Sequence, residues 1–330
     1  MSALPNRKTG NKFQPGVNKS GTAGYNRTVA ESRKTGHLLT ERVNPRTEKL
    51  DELPALGIVE SIISEDGTIV SAIEKEKENI ARAVELITER LGQGGRLVFI
   101  GAGTSGRLGV IEAAECPPTF GTDPDMILGI IAGGRKAVWK SAEGAEDSSE
   151  EARKKLERIN LKKKDVLVGI AASGSTPFVE GGLDYARKKG SGRILVTCNP
   201  VETTVPDVVI SVLVGPEVIT GSTRMKAGTA TKMVLNMLTT ASMVRLGKTY
   251  GNLMVDVRPG SAKLRDRAKR LVMLITGVGE KRAEELLRGS KWDVKAAIVM
   301  EIKNTDYGKA SKLLKEHGGF LRSVIGQARK

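Results

Sequence analysis

Five short apolar runs, set apart by longer stretches with helical spacing, constrain this chain more than any other feature. They are Leu97–Ile100, Ile127–Ile131, Val166–Ile170, Ile194–Cys198 and Val208–Val214. Each is apolar at consecutive rather than alternate positions, as a strand reads when both its faces are covered. Between them lie helical segments, among them 179–188 and 149–158, the second opened by Ser148 and Glu151 in capping-box spacing. Ahead of the first run, Ile80, Val84, Ile87 and Leu91 share one helical face, and Gly92, Gly94 and Gly95 close that helix. Strands buried on both faces and separated by helices predict an α/β domain built on a doubly wound parallel sheet. Residues 225–246 read as a long apolar helix rich in Met and Leu, suited to the core or to a subunit interface.

Charge sorts the rest of the chain. The 330 residues carry a net charge of +15, which invites a nucleic-acid reading. That charge divides unevenly: residues 1–36 hold +6, residues 261–330 hold +9, and the stretch between them is neutral. A neutral central segment with only 3% aromatic residues offers neither the basic face nor the stacking platform of a nucleic-acid binder. No apolar run is long enough to span a membrane, and no apolar stretch follows the basic N-terminus as in a secretory signal. Cys116 and Cys198 stand in no ligand spacing, so neither a metal site nor a disulfide framework is expected, and a reducing cytoplasm fits best. Residues 1–36, which have nothing periodic to bury, read as a disordered basic leader. A main domain with a helical lead-in follows over 37–260. Residues 261–330 are expected to form a small three-helix unit, similar to ubiquitin-associated domains, with a break at Gly277–Gly279.

Two loops carry the chemistry. Gly101-Ala102-Gly103-Thr104-Ser105-Gly106-Arg107 follows the first strand and satisfies G-x-G-x-x-G. A dinucleotide site also wants an acid at the end of the next strand, and that strand ends Ala132-Gly133-Gly134-Arg135. The loop offers the hydroxyls of Thr104 and Ser105 instead. A second loop, Ala171-Ala172-Ser173-Gly174-Ser175-Thr176-Pro177, follows the third strand and opens a helix in the same way. Helix N-termini present free N–H groups and partial positive charge, and rotatable hydroxyls add neutral donors. Such a pair, at the carboxyl ends of parallel strands, suits one phosphorylated small molecule held by Gly103, Thr104, Ser105, Ser173, Gly174, Ser175 and Thr176. No cofactor is expected.

Paired Ser/Thr loops of this kind resemble the sugar isomerase (SIS) domain, a flavodoxin-like sheet that binds sugar phosphates. Five segments, in order, are similar to the N-acetylmuramic acid 6-phosphate etherase family: Gly101–Gly109, Ala114–Thr119 (AECPPT), Glu143–Asp147 (EGAED), Gly215–Lys232 (GPEVITGSTRMKAGTATK) and Gly251–Val257. The Gly215–Lys232 segment also resembles the glucokinase regulatory protein. The chain departs from the family once: the etherases' second loop reads Ser-Gly-Arg-Thr-Pro, and Ser175 stands at the arginine position.

The resemblance implies cleavage of the D-lactyl ether of N-acetylmuramic acid 6-phosphate to N-acetylglucosamine 6-phosphate and D-lactate, in recycling of cell-wall amino sugars. With the sugar ring open, C1 is an aldehyde, the C2 proton is acidic, and the C3–O bond lies β to the resulting carbanion. Elimination of lactate followed by addition of water completes the reaction, and it needs an acid and a base. The family assigns that work to two glutamates, which map to Glu115 and Glu146. Glu115 would protonate the departing lactyl oxygen, and Glu146 would move protons at C2 or at the water. Leu108, Ile111 and Glu115 share a helical stripe, so Glu115 is expected on an apolar face just before Pro117-Pro118 end the helix, with a raised pKa. Glu217, Ser222, Arg224 and Lys226 are further substrate-binding candidates; Arg224 or Lys226 would meet the lactyl carboxylate or form a structural ion pair. A straight helix from Ser105 would put Glu115 about 15 Å from the phosphate loop. The helix therefore breaks early, or Glu115 serves a neighbouring subunit, and sites shared within a homodimer are the expectation. Two alternatives remain: an aldose–ketose isomerase using the same C2 proton, and a non-catalytic sugar-phosphate regulator.

Overall fold

A computed structural model describes residues 38–257 and 260–326. The expected leader at 1–36 lies outside the described residues. Single 3₁₀ turns and the helices α1 (Ala55–Asp66), α2 (Ile69–Glu74) and α3 (Lys77–Gly92) form the lead-in. The five apolar runs then become β1 (Leu97–Gly101), β2 (Ile127–Ile131), β3 (Val166–Ile170), β4 (Gly192–Thr197) and β5 (Val208–Ser211). They make one wholly parallel sheet in the order β2-β1-β3-β4-β5, the flavodoxin-like arrangement.

Every residue of β1 and β3 is buried, as consecutive apolar positions required. Alternation along β1 divides the core between the two faces. Leu97 and Phe99 join α3 and the long helix α7 (Lys226–Arg245). Val98 and Ile100 join α5 (Ser149–Arg158) and α6 (Pro177–Lys189). The Ser148 hydroxyl caps α5, accepting the Glu151 N–H at 3.2 Å.

Helix α4 (Gly103–Phe120) follows β1 and lies unusually close to the sheet. A Cβ on Gly106 would come within 2.5 Å of the Gly101 carbonyl oxygen, and one on Gly109 within 2.8 Å of the Phe99 Cβ. The glycines of this motif therefore serve helix–strand contact. Pro117 and Pro118 do not end α4. Their fixed φ is itself helical, so the coil persists past two missing ladder bonds until Gly121, at φ 61°, closes it.

A separate core lies among the C-terminal helices and draws in Tyr250, Val255 and Val257. The expected three helices are present as α8 (Ala262–Thr276), α9 (Glu280–Gly289) and α10 (Val294–Ile302), and two more follow: α11 (Tyr307–Glu316) and α12 (Leu321–Ile325). Helix α11 buries only Ala310 and Leu314, too sparse a stripe for periodicity to find, although Asp306 caps it by accepting the Lys309 N–H.

Candidate active site

In the order 2-1-3-4-5 the chain reverses direction between β1 and β3, and a crevice opens there beyond the strands' carboxyl ends. Gly101 and Ile170 are paired at those ends, so the two hydroxyl loops leave the sheet side by side. Neither loop consumes its hydroxyls as caps. Ala102 and Thr176 precede α4 and α6 without a side-chain cap bond, unlike Ser148, Ser261, Asp293 and Asp306 at other helices. Ser173 Oγ accepts the Ser175 N–H at 3.3 Å, which turns the second loop back on itself. Gly174, at φ 82°, makes that turn where a Cβ would stand 2.2 Å from Val201 Cγ1. Thr104, Ser105, Ser173 and Thr176 are half-buried, and Gly103 and Ser175 are exposed.

The structure brings Glu146 to the first loop. A pocket of about 150 Å³ is lined by Gly103, Arg107, Ser141, Glu143 and Glu146 among others. Arg107, one turn into α4, donates from Nε to the Val138 carbonyl at 3.0 Å and so holds the segment that leads to Glu146. On the other side of that segment, Ser149 Oγ donates to the Pro177 carbonyl at 2.9 Å, tying it to the second loop. Sequence reasoning gave Arg107 no role. Its place in the loop motif was the available signal.

Glu115 is not brought to these loops within one chain. It is exposed, twelve residues along α4 from Gly103, or about 18 Å. The buried stripe of α4 is Gly106, Gly109, Glu112, Cys116 and Phe120, one position away from the expected one. Small glycines face the sheet because they permit the closest approach, and bulky Ile111 is left 45% exposed. The acid on the buried face is Glu112. Burial pushes the Cys116 thiol up to about 12, so it is no nucleophile.

The 215–226 segment reaches the site from a third side. A Cβ on Gly228 would stand 3.5 Å from Thr104 Cγ2. Glu217, fully buried, accepts the N–H groups of Lys226 and Ala227 at 2.9 Å each and thereby caps α7. Burial raises its pKa, and those N–H bonds with the Lys226 charge oppose the rise. The Lys226 ammonium is buried and paired with Glu65 at 2.5 Å, so the structural ion pair is the outcome there, because α1 brings Glu65 against it. Ser222 is half-buried, with its carbonyl accepting the Met225 N–H. Arg224 is exposed and has no polar side-chain partner among the described residues. The lead-in stitches these parts together: Asn199 Nδ2 donates to Thr40 Oγ1 at 3.0 Å and to the Ala172 carbonyl at 2.8 Å, and the Gly221 N–H donates to the Thr40 carbonyl at 3.1 Å.

The chain is similar to several known proteins. Residues 79–187 match the family model for the glucokinase regulatory protein N-terminal SIS domain. An N-acetylmuramic acid 6-phosphate etherase of Mesorhizobium japonicum is 49% identical over 87% of this chain and 94% of its own length. Similar relatives of the same name from Rhizobium rhizogenes and Rhodopirellula baltica are 50% and 49% identical over 87% of this chain, and 94% and 96% of theirs. Among solved structures, a phosphoheptose isomerase from Neisseria gonorrhoeae is similar at 18% identity and a TM-score of 0.45, over 57% of this chain and 99% of that one. With about half of the positions identical over 87% of the chain, this protein belongs to the N-acetylmuramic acid 6-phosphate etherase family.

Proposed function

We propose that the chain cleaves the D-lactyl ether of N-acetylmuramic acid 6-phosphate, releasing D-lactate and N-acetylglucosamine 6-phosphate. The observation that carries this reading is the pocket in which Glu146 meets Gly103 of a phosphate-type loop. The sugar 6-phosphate sits on the N-termini of α4 and α6 and takes hydrogen bonds from Thr104, Ser105, Ser173, Ser175 and Thr176. Ser175 supplies a neutral donor where the family has arginine. The open-chain aldehyde acidifies the C2 proton, which Glu146 removes. Glu115 gives its proton to the lactyl oxygen as the C3–O bond breaks, leaving a 2,3-unsaturated aldehyde. Water then adds, with hydroxide to C3 and a proton to C2.

Within one chain, Glu115 lies about 18 Å along α4 from Gly103, too far for this role. We therefore place it in the site of a second copy of the chain, in a homodimer. Exposed Ile111, one turn before Glu115 on α4, supplies an apolar side chain suited to such a contact. The division into a catalytic region over 37–260 and a helical unit from 261, in a cytoplasmic enzyme, belongs to the same reading. The core of the C-terminal helices supports a helical unit there, and it also takes in Tyr250, Val255 and Val257 from before residue 261.

Reaction in ¹⁸O-labelled water tests the chemistry. Label at C3 of the sugar with unlabelled lactate is the expected result, and label in lactate would overturn C3–O cleavage. Mixing Glu115→Ala with a variant lacking the hydroxyls of Ser173, Ser175 and Thr176 should restore activity in heterodimers. Verified heterodimers without recovery would sink site sharing.

A further inference from the structure

The α4–α7 contact holds a charged cluster that the steps above leave unused. Glu112, 5% exposed, accepts hydrogen bonds from Lys232 Nζ and from Thr239 Oγ1, both at 2.5 Å. Lys232 also donates to Asn236 Oδ1, one turn further along α7. An ammonium has three N–H donors. Glu112 and Asn236 take two of them, and the Lys232 side chain remains 33% exposed. Glu115 lies three residues beyond Glu112 on α4 and is exposed. One helical turn separates them, so Glu115 stands on α4 beside the Glu112 that holds Lys232.

A carboxylate buried in this way leaves Lys232 little freedom. It fixes an ammonium with one open donor at the edge of a helix pair, beside an exposed acid. The proposed substrate asks for that combination. In a lactyl ether the ether oxygen and the carboxylate carbon are bonded to the same carbon atom. An acid that protonates the oxygen and a cation that binds the carboxylate must therefore stand side by side. Lys226 is committed to Glu65, and Arg224 lies eight residues before Lys232, ahead of the start of α7. We propose that Lys232, held by Glu112 and Asn236, binds the lactyl carboxylate and makes the enzyme select charged ethers. This inference rests on the assignment of Glu115 as leaving-group acid.

The test compares two substrates, N-acetylmuramic acid 6-phosphate and its neutral lactamide, on the full-length protein. Wild type should prefer the acid about 10- to 100-fold in kcat/KM, the range expected for one charge-assisted bond. Lys232→Met should bring the two substrates to near parity by lowering turnover of the acid alone. Lys232→Arg should keep the preference. Lys232→Met leaves Glu112 unpaired, so the double variant Glu112→Gln with Lys232→Met is made alongside it and should also show parity. Inhibition by N-acetylglucosamine 6-phosphate, which has no lactyl group, should be unchanged in both and reports that the site is folded. A preference that survives in the double variant, or equal losses on both substrates, overturns the assignment of Lys232. Full activity in Glu115→Gln would instead overturn the reading on which it rests, a separate and recognisable failure.

Discussion

The Glu65 carboxylate lies between two cations. Arg46 Nε and Lys226 Nζ each donate to it at 2.5 Å. Burial alone would raise its pKa, yet the bonds from Arg46 and Lys226 outweigh burial and bring it to about 2. An ordinary glutamate titrates near 4.3. The depressed value means that the stability supplied by this cluster is whole above that point and is lost as pH falls towards 2. Glu217 has the opposite sign: its pKa is raised, so its contribution is greatest at low pH and is lost as pH rises through the folded value. Glu65→Gln should cost about 3 kcal/mol at pH 7, from a shift of roughly two units. In denaturant titrations the gap from wild type should narrow at pH 3; a gap of constant size would contradict the assignment. At the reaction centre, Glu146→Gln should lower kcat by about 10² to 10⁴ with little change in product inhibition, as loss of one general acid–base group does. Steady-state lactate release measures this. Gly106→Ala places a methyl 2.5 Å from the Gly101 carbonyl oxygen and should cost about 1–3 kcal/mol in thermal or denaturant melts.

Among the elements, the segment between β2 and α5 carries the residue to which the proposed reaction gives the C2 proton. It begins at Gly133 and Gly134, passes Gly144, all three at positive φ, and carries Glu143 and Glu146 into the pocket. Trp139 on the same segment is 84% exposed, next to the Val138 carbonyl that Arg107 holds. The other tryptophan, Trp292, follows α9 in the C-terminal region, its indole beside Arg265. Addition of N-acetylglucosamine 6-phosphate should therefore change tryptophan fluorescence, and Trp139→Phe should abolish the change. An unchanged signal would mean that the segment does not respond to the site. Helix α4 shows why element-level reasoning went astray at Glu115. A stripe of large apolar residues marked Leu108, Ile111 and Glu115 as the inner face, whereas contact with the sheet is made through Gly106 and Gly109. Hydrophobic periodicity weights bulk, and close packing at a strand–helix turn favours its absence.

At the scale of the whole molecule, the proposed reaction needs groups at both ends of α4, Gly103 and Glu115, and the proposed homodimer would bring them together across two copies of the chain. Ile111→Glu should convert a dimer to monomers in sedimentation and lower activity by about tenfold or more, since a buried unpaired charge at an interface is strongly unfavourable. A dimer that persists with full activity would remove Ile111 from the contact. The sheet, its helices and both hydroxyl loops were legible in the residues themselves. Consecutive apolar positions mean a strand covered on both faces, and Ser, Thr and Gly after such a strand mean an open helix N-terminus, because both follow from local chain geometry. Five spaced segments were also enough for the family resemblance. The pairing of Lys226 with Glu65, 161 positions away, was not legible, nor was the contact of Glu112 with Lys232, nor the solvent-facing side of Glu115. Sequence by itself determined the five strands, the helices between them and the placing of two hydroxyl loops after strands. Tertiary structure alone decided which charges are spent on one another and which stay open to a substrate, because ion pairing depends on distances that close only when helices pack across the sheet.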